Sequence, residues 1–152
     1  MADTRAAADT DRARAARERL LETVRASGPA AVAAEMLPKL LGETSHRTRP
    51  DLVSRVRRLI ETQSAAGIAA AIQVLMSRPN STPLLGRIRV PALVMAGTED
   101  VLTPPAEMER MAAAIPGARY VKVGAAGHLS NLENPEDFNR EVARWLGSSV
   151  AW

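Results

Sequence analysis

The chain has 152 residues, of which 46% are hydrophobic and 24% are charged, so it is long enough for one folded domain and too apolar for general disorder. It contains no cysteine, which excludes disulfides and thiolate metal sites within this sequence. The net charge of +3 comes from arginines interspersed with acids, and aromatic residues make up only 3%, so the composition disfavours nucleic-acid binding.

The N-terminal segment has neither the basic nor the apolar part of a secretory signal, since it reads MADTRAAADTD. No apolar stretch reaches the roughly 18 to 20 residues that a membrane span needs. We therefore expect a soluble, cytoplasmic protein.

Apolar residues recur at helical spacing from residue 11 to residue 77, which predicts four helices. Gly28 and Pro29 separate the first helix from the second. A polar linker from Gly42 to Arg49 separates the second from the third, and Pro50 suits the start of the third. Gly67 is the only breaker before the fourth helix, so the sequence leaves open whether the third and fourth are continuous.

The pattern changes after residues 78–83 to strand, helix, strand, helix. The near-continuous apolar run from Ile88 to Ala96 predicts a strand buried on both faces of a parallel sheet. A shorter strand from Tyr120 to Val123 would lie beside it, with a right-handed crossover between them. Two strands alone make a poor sheet, so this half is interpreted as one end of a larger sheet with an unpaired apolar edge.

Helix start signals follow each of the two predicted strands. Thr103, followed by two prolines, is expected to cap the crossover helix. Asn134 is expected to cap the last helix, with Pro135 at its first position and two acids in its first turn.

Asp100 and His128 are the candidate catalytic residues. Asp100 follows the first predicted strand by four residues, and His128 follows the second by five. Because neighbouring parallel strands end at the same edge of a sheet, the two side chains are expected to meet there. A carboxylate that accepts the Nδ1 proton of an imidazole prepares Nε2 to act as a base. A turn role for Asp100 and a structural role for His128 remain open, while His46, between two helices, is a weaker candidate.

Four sequence segments with matching spacing resemble the C-terminal portion of α/β-fold hydrolases, nearest to the branch of small esterases and 3-oxoadipate enol-lactonases. The resemblance covers about residues 84–147, and its segments read GTED at 97–100, TPP at 103–105, IPGA at 115–118 and GHLSNLENP at 127–135. The preceding helices resemble the cap that this family inserts between its sixth and seventh strands.

The resemblance implies a partial α/β-hydrolase fold of the α/β class. Residues 1–80 would form a helical cap of about four helices, and residues 81–152 the C-terminal part of the core, a β-α-β-α unit with parallel strands. Asp100 would be the triad acid and His128 the triad base of a serine hydrolase acting on carboxylic esters or (enol-)lactones. No cofactor and no metal are expected.

The nucleophile of the family is not found, because G-x-S-x-G occurs nowhere in the chain. The serines that precede Asp100 lie in or beside predicted helices, without a flanking glycine elbow: Ser27, Ser45, Ser54, Ser64, Ser77 and Ser81. Ser130 is too close to His128 in the chain to be its partner. Residues 1–5 resemble the point where the family chain leaves its sixth strand for the cap. We therefore expect a cap plus two strands with little hydrolytic activity alone.

Three further expectations concern partners and substrate. The apolar strand edge predicts association with a second copy or with a complementary N-terminal half. The alternative function is a non-catalytic helical binding or interaction module that self-associates through this edge. Metal-dependent hydrolysis is disfavoured, because the two histidines do not have the H-x-x-x-H spacing of a metal site. The candidates for lining a substrate pocket are of two kinds. Leu102 and Leu129 lie beside the candidate catalytic residues, whereas packing also explains the cap positions Met36, Leu40 and Met76.

Overall fold

The computed structural model describes residues 1–149. Its elements, in chain order, are α1 Asp11–Leu40, α2 Glu43–Thr48, α3 Pro50–Glu61, α4 Ala65–Met76, a 3-10 helix Thr82–Arg87, β1 Leu93–Gly97, α5 Pro105–Ala113, β2 Arg119–Val123, α6 Ser130–Glu133 and α7 Pro135–Ser149.

The first two predicted helices are the two arms of α1. They meet at Gly28, whose φ of 73° and ψ of −172° lie outside the helical region and suit a residue without Cβ. Pro29 follows, where a missing N–H costs nothing at the start of the second arm. The predicted break is therefore confirmed in position. The predicted linker from Gly42 to Arg49 is wrong in part, because it contains the six-residue helix α2.

The third and fourth predicted helices are separate, and their axes bend by 94° between α3 and α4. The break is at Ser64 rather than Gly67, because the Ser64 side chain caps α4 by accepting a hydrogen bond from the Gly67 amide. Among residues 1–149 no single helix is long and apolar enough to cross a membrane, and only the bent α3–α4 pair reaches that length and composition.

The helical half has two apolar clusters, both built on α1. One joins α1 to α4 and contains Leu20, Val24, Val32 and Ile72. The other joins the end of α1 to α3 and contains Leu37, Leu41, Leu52 and Val56. Leu129 and Leu132 pack against the second cluster, so the helices touch the segment that follows β2.

β1 and β2 are parallel neighbours, in register from Leu93 opposite Arg119 to Gly97 opposite Val123. All five residues of β1 are buried, as expected for a strand covered on both faces. Val94 and Ala96 face the α5 cluster, whereas Leu93 and Met95 face the α7 cluster. The predicted strand start at Ile88 is wrong. Pro91 has no N–H for a strand ladder, and residues 88–92, which follow the 3-10 helix, are irregular.

The other edge of β1 is paired with the N-terminal residues. The Met95 amide donates to the Met1 carbonyl at 2.9 Å, and the Asp3 amide donates to the Met95 carbonyl at 3.1 Å. Ala2 thereby forms a parallel bridge with Met95. The Met1 ammonium donates to the Leu93 carbonyl at 2.7 Å, and burial lowers the pKa of this group. The expectation of an unpaired β1 edge is thus corrected, because residues 1–3 lie along it.

Candidate active site

Asp100 lies three residues after β1 and its side chain is fully buried. Its Oδ1 accepts hydrogen bonds from the amides of Leu102 at 2.8 Å and Thr103 at 2.9 Å. Its Oδ2 accepts one from the Thr103 hydroxyl at 2.5 Å and lies 2.9 Å from His128 Nδ1. The turn after β1 therefore fixes the carboxylate and presents one oxygen to the imidazole.

The charge state of Asp100 follows from two opposed effects. Burial alone would raise the pKa of this carboxyl, but hydrogen bonds from His128 and Thr103, together with electrostatic attraction to His128, outweigh it and lower the pKa. An ionised Asp100 can only accept hydrogen bonds, so Nδ1 of His128 must be the protonated nitrogen. The Nε2 lone pair is then directed away from Asp100 and is free to take a proton.

His128 is held by its backbone, and 24% of its side chain is exposed. Its amide donates to the Leu40 carbonyl at 3.1 Å, which ties it to the end of α1. Gly127, just before it, leaves no room for a side chain, because an added Cβ would lie 2.5 Å from the Gly42 amide nitrogen. The histidine loop, which is residues 124–129 between β2 and α6, and the start of α2 are therefore in backbone contact.

The predicted candidates do not all meet at one place. The structure brings Asp100 and His128 into hydrogen-bond contact but leaves His46 outside it, with its Nε2 3.2 Å from the Leu37 carbonyl. A surface depression lies beside the neighbours of Asp100 and is lined by Pro38, Leu41, Glu43, His46, Glu99 and Val101.

None of the five expected pocket residues lines this depression. Met36 and Met76 pack on the α1–α4 cluster, and Leu129 packs on the α1–α3 cluster. Leu40 and Leu102 contact the site through backbone atoms, since the Leu40 carbonyl accepts from His128 and the Leu102 amide donates to Asp100. Their contribution to a substrate pocket stays a prediction.

Two of the serines are buried donors to carboxylates. Ser130 donates to Asp3 Oδ2 at 2.5 Å, and Ser45 donates to Glu133 Oε2 at 2.7 Å. Within residues 1–149 no serine hydroxyl hydrogen-bonds to His128, and no three His, Asp or Glu side chains of this range form a group that could hold a metal ion.

Four side chains of the site were missed or misassigned in the sequence. Thr103 does not cap α5, which begins after Pro104 without a side-chain cap; its hydroxyl binds Asp100 instead. Glu99, Glu133 and Asp3 each accept hydrogen bonds from distant parts of the chain. For Glu99 and Glu133 the only sequence signal was an acid within a motif segment, and Asp3 lies outside the four segments. Asn134, in contrast, caps α7 as predicted, accepting from the Asp137 amide at 3.2 Å.

We expect Thr103→Val to lower the free energy of unfolding by about 1.5–3 kcal/mol at neutral pH, because it removes a buried hydrogen bond to an ionised carboxylate. Since the pKa of Asp100 is lowered in the folded protein, this contribution is present above the ordinary pKa of Asp and is lost as the pH falls through the lowered value. Urea unfolding at several pH values measures it. Thr62→Val, at an exposed hydroxyl, is the control, and an equal loss in both variants would contradict the expectation.

Known proteins match this chain over most of its length. A family model described as alpha/beta hydrolase fold matches residues 6–135. The thermophilic esterase from Thermogutta terrifontis superposes with a TM-score of 0.92 and 38% identity over 97% of this chain and 54% of the esterase. The enol-lactonase from Burkholderia xenovorans LB400 superposes with a TM-score of 0.85 and 28% identity over 96% of this chain and 54% of that protein.

Curated relatives give the same picture in sequence. The 3-oxoadipate enol-lactonase 2 of Acinetobacter baylyi is 32% identical over 93 residues, which are 61% of this chain and 34% of the lactonase. The chain thus spans about half the length of the two solved structures and about a third of this relative.

Proposed function

The chain belongs to the α/β-hydrolase fold family, and we propose that it supplies the acid and the base of a serine-hydrolase triad that cleaves carboxylic esters or lactones. The observation that carries the proposal is the 2.9 Å contact between Asp100 Oδ2 and His128 Nδ1, placed after two neighbouring parallel strands. The likeness to an esterase and to enol-lactonases supports this choice of substrates.

In this mechanism Asp100 holds the Nδ1–H tautomer, and Nε2 removes the proton of a serine hydroxyl as its oxygen attacks the carbonyl carbon of the ester. The imidazolium that forms is stabilised by the Asp100 carboxylate. It then gives its proton to the departing alkoxide, which leaves an acyl-serine. Water repeats the sequence, with Nε2 again acting as the base, and releases the acid.

The nucleophile and the oxyanion donors are assigned to a complementary part of the family fold, in the same or in a separate polypeptide. The absence of G-x-S-x-G from residues 1–152 supports this assignment. So does an apolar groove beside β1 and α7, where Val90 is 67% exposed and Met1 is 48% exposed. The groove is lined by Met1, Ala2, Ile88, Val90, Pro91, Ala92, Leu93, Met95, Phe138, Val142 and Trp145.

We propose that this groove, with the outer edge of residues 1–3, docks the remaining strands of the hydrolase sheet. Every side chain that lines the groove is apolar, which suits a buried interface better than a solvated face. The predicted cap of residues 1–80, without residues 1–3 that pair with β1, would then cover the site. The substrate would lie between this cap, Leu102 and Leu129, with Met36, Leu40 and Met76 as more distant candidates. A cytoplasmic location remains an expectation of the same kind.

The second candidate function is a non-catalytic module that self-associates through the same groove. It is favoured by the lack of a serine hydroxyl at His128 within the described residues. The molecular mass of the chain in solution, measured with and without the complementary part of the fold, separates the two functions. A self-associating module stays a dimer when the complementary part is added. A hydrolase chain forms a one-to-one complex with that part instead.

A fluorophosphonate, which reacts with activated serines, tests the proposal. We expect the isolated chain to remain unlabelled, because an acid and a base without a nucleophile and oxyanion donors retain little reactivity. Mass spectrometry of the treated chain is the measurement, with a complete esterase as the positive control. Labelling of one serine, lost in His128→Ala, would overturn the assignment of the nucleophile to another part of the fold.

A further inference from the structure

Glu133 joins the histidine loop to the start of α2 through one buried carboxylate. The residue is 5% exposed and lies five positions after His128. Its Oε1 accepts hydrogen bonds from the amides of Gly127 at 2.8 Å and Leu129 at 3.2 Å, the two residues that flank His128. Its Oε2 accepts from the Gly42 amide and the Ser45 hydroxyl, both at 2.7 Å.

These four donors are distributed evenly between the two segments. One carboxylate oxygen serves only the histidine loop, and the other serves only the residues around the start of α2. The segments are also in backbone contact, since a Cβ at Gly127 would meet the Gly42 amide nitrogen at 2.5 Å. Amides buried at such a contact cannot reach water, so they need an internal acceptor, and hydrogen bonds to a carboxylate are stronger than those to a neutral oxygen.

Glu99 repeats the arrangement on the side of the acid. It directly precedes Asp100, and its two oxygens accept from the Thr44 amide at 2.8 Å and the Thr44 hydroxyl at 2.5 Å. Its own amide donates to the Ala126 carbonyl at 2.8 Å. The loop of the acid and the loop of the base are therefore each bonded, through a glutamate, to residues 42–45.

We propose that Glu133 is a positioning residue that makes the alignment of His128 with Asp100 depend on the docking of residues 42–45, with Glu99 as its counterpart on the acid loop. The proposal rests on the function proposed above for the Asp100–His128 pair. Its consequence is that the cap and the pair are mechanically coupled: displacement of residues 42–45 removes two bonds from Glu133 and two from Glu99. The imidazole then loses its fixed orientation, without any change to Asp100 or His128 themselves.

Nuclear magnetic resonance of the imidazoles tests the coupling without catalysis. The chain has only two histidines, and the His128 resonances are identified by their loss in His128→Ala. We expect Glu133→Gln, which keeps the size of the side chain but leaves only one acceptor oxygen, to shift the His128 nitrogen resonances. The Nδ1 proton should exchange about tenfold faster with solvent.

Glu136→Gln is the matched control, because Glu136 is an exposed acid three positions further along the chain. Identical His128 resonances and exchange rates in native protein, Glu133→Gln and Glu136→Gln would overturn the proposal. If Glu133→Gln does not fold, Ser45→Ala decides. It removes one donor on the α2 side and leaves the histidine loop intact, so a shift at His128 supports the coupling and an unchanged spectrum overturns it.

Kinetics of the assembled hydrolase separate this proposal from the proposed function. With the complementary part present, we expect Glu133→Gln to lower kcat by about 10²-fold with little change in KM, as for a displaced catalytic group. If the native assembly is inactive but Glu133→Gln shifts the His128 resonances, the hydrolase function is contradicted and the coupling is supported. If the native assembly is active but Glu133→Gln changes neither the His128 resonances nor kcat, the coupling alone is contradicted.

Discussion

Asp100→Asn is expected to lower kcat/KM for ester hydrolysis by about 10⁴-fold in the assembled hydrolase, the loss typical of replacing the triad acid with its amide. The physical reason is the tautomer of His128. Asp100 Oδ2 accepts from Nδ1 at 2.9 Å and from the Thr103 hydroxyl at 2.5 Å, so both contacts need an acceptor. An asparagine has a single acceptor oxygen, and its NH₂ group would favour an unprotonated Nδ1, which places the proton on Nε2.

The measurement is steady-state hydrolysis of a p-nitrophenyl ester by the chain combined with a part of the family fold that carries G-x-S-x-G. Glu136→Gln, an exposed substitution outside the site, is the control and should retain full activity. Retention of more than about a tenth of kcat/KM in a folded Asp100→Asn variant would show that Asp100 does not act as the triad acid.

Gly97→Ala is expected to be the most destabilising small substitution in the chain, with a loss of about 3 kcal/mol or more in the free energy of unfolding. Gly97 is the last residue of β1. An added Cβ would lie 2.1 Å from the Gly127 carbonyl oxygen, 2.4 Å from the Ala126 carbonyl oxygen and 2.8 Å from the Ala126 carbonyl carbon. Because all three atoms are backbone, no side-chain rotation relieves the clash, and the histidine loop must move.

Gly147→Ala is the matched control for this prediction. Gly147 lies within α7, is exposed, and has no atom within 4 Å of an added Cβ, so alanine there should be neutral or stabilising by up to about 1 kcal/mol. Urea unfolding of both variants gives the comparison. A Gly97→Ala protein within about 0.5 kcal/mol of the native chain would contradict the close packing of β1 against the histidine loop.

The contact between Asp100 and His128 could be predicted because it depends on a general property of parallel sheets. Each residue follows a strand with a clear apolar signal, and the ends of parallel neighbours meet at one edge. The same local logic gave the break at Gly28 and the cap at Asn134. It failed at the start of β1, where Pro91 outweighs the apolar run, and at Thr103, whose hydroxyl binds the neighbouring carboxylate rather than the helix.

The supporting residues could not be predicted, because their partners are distant in the chain. Glu133 bonds to Gly42 across 91 positions, and Asp3 bonds to Ser130 across 127. A glutamate inside a motif is indistinguishable in sequence from a solvated one until the fold brings buried amides to it. The pairing of residues 1–3 with β1 depends in the same way on tertiary contact.

The central claim is that His128, held by Asp100, is the base that activates a serine outside residues 1–152. The most direct test is fluorophosphonate labelling of the chain assembled with a G-x-S-x-G-bearing part of the family fold. We predict that one serine of that part is labelled and that His128→Ala, while still assembled, abolishes the labelling. Equal labelling with and without the His128 imidazole would contradict the claim.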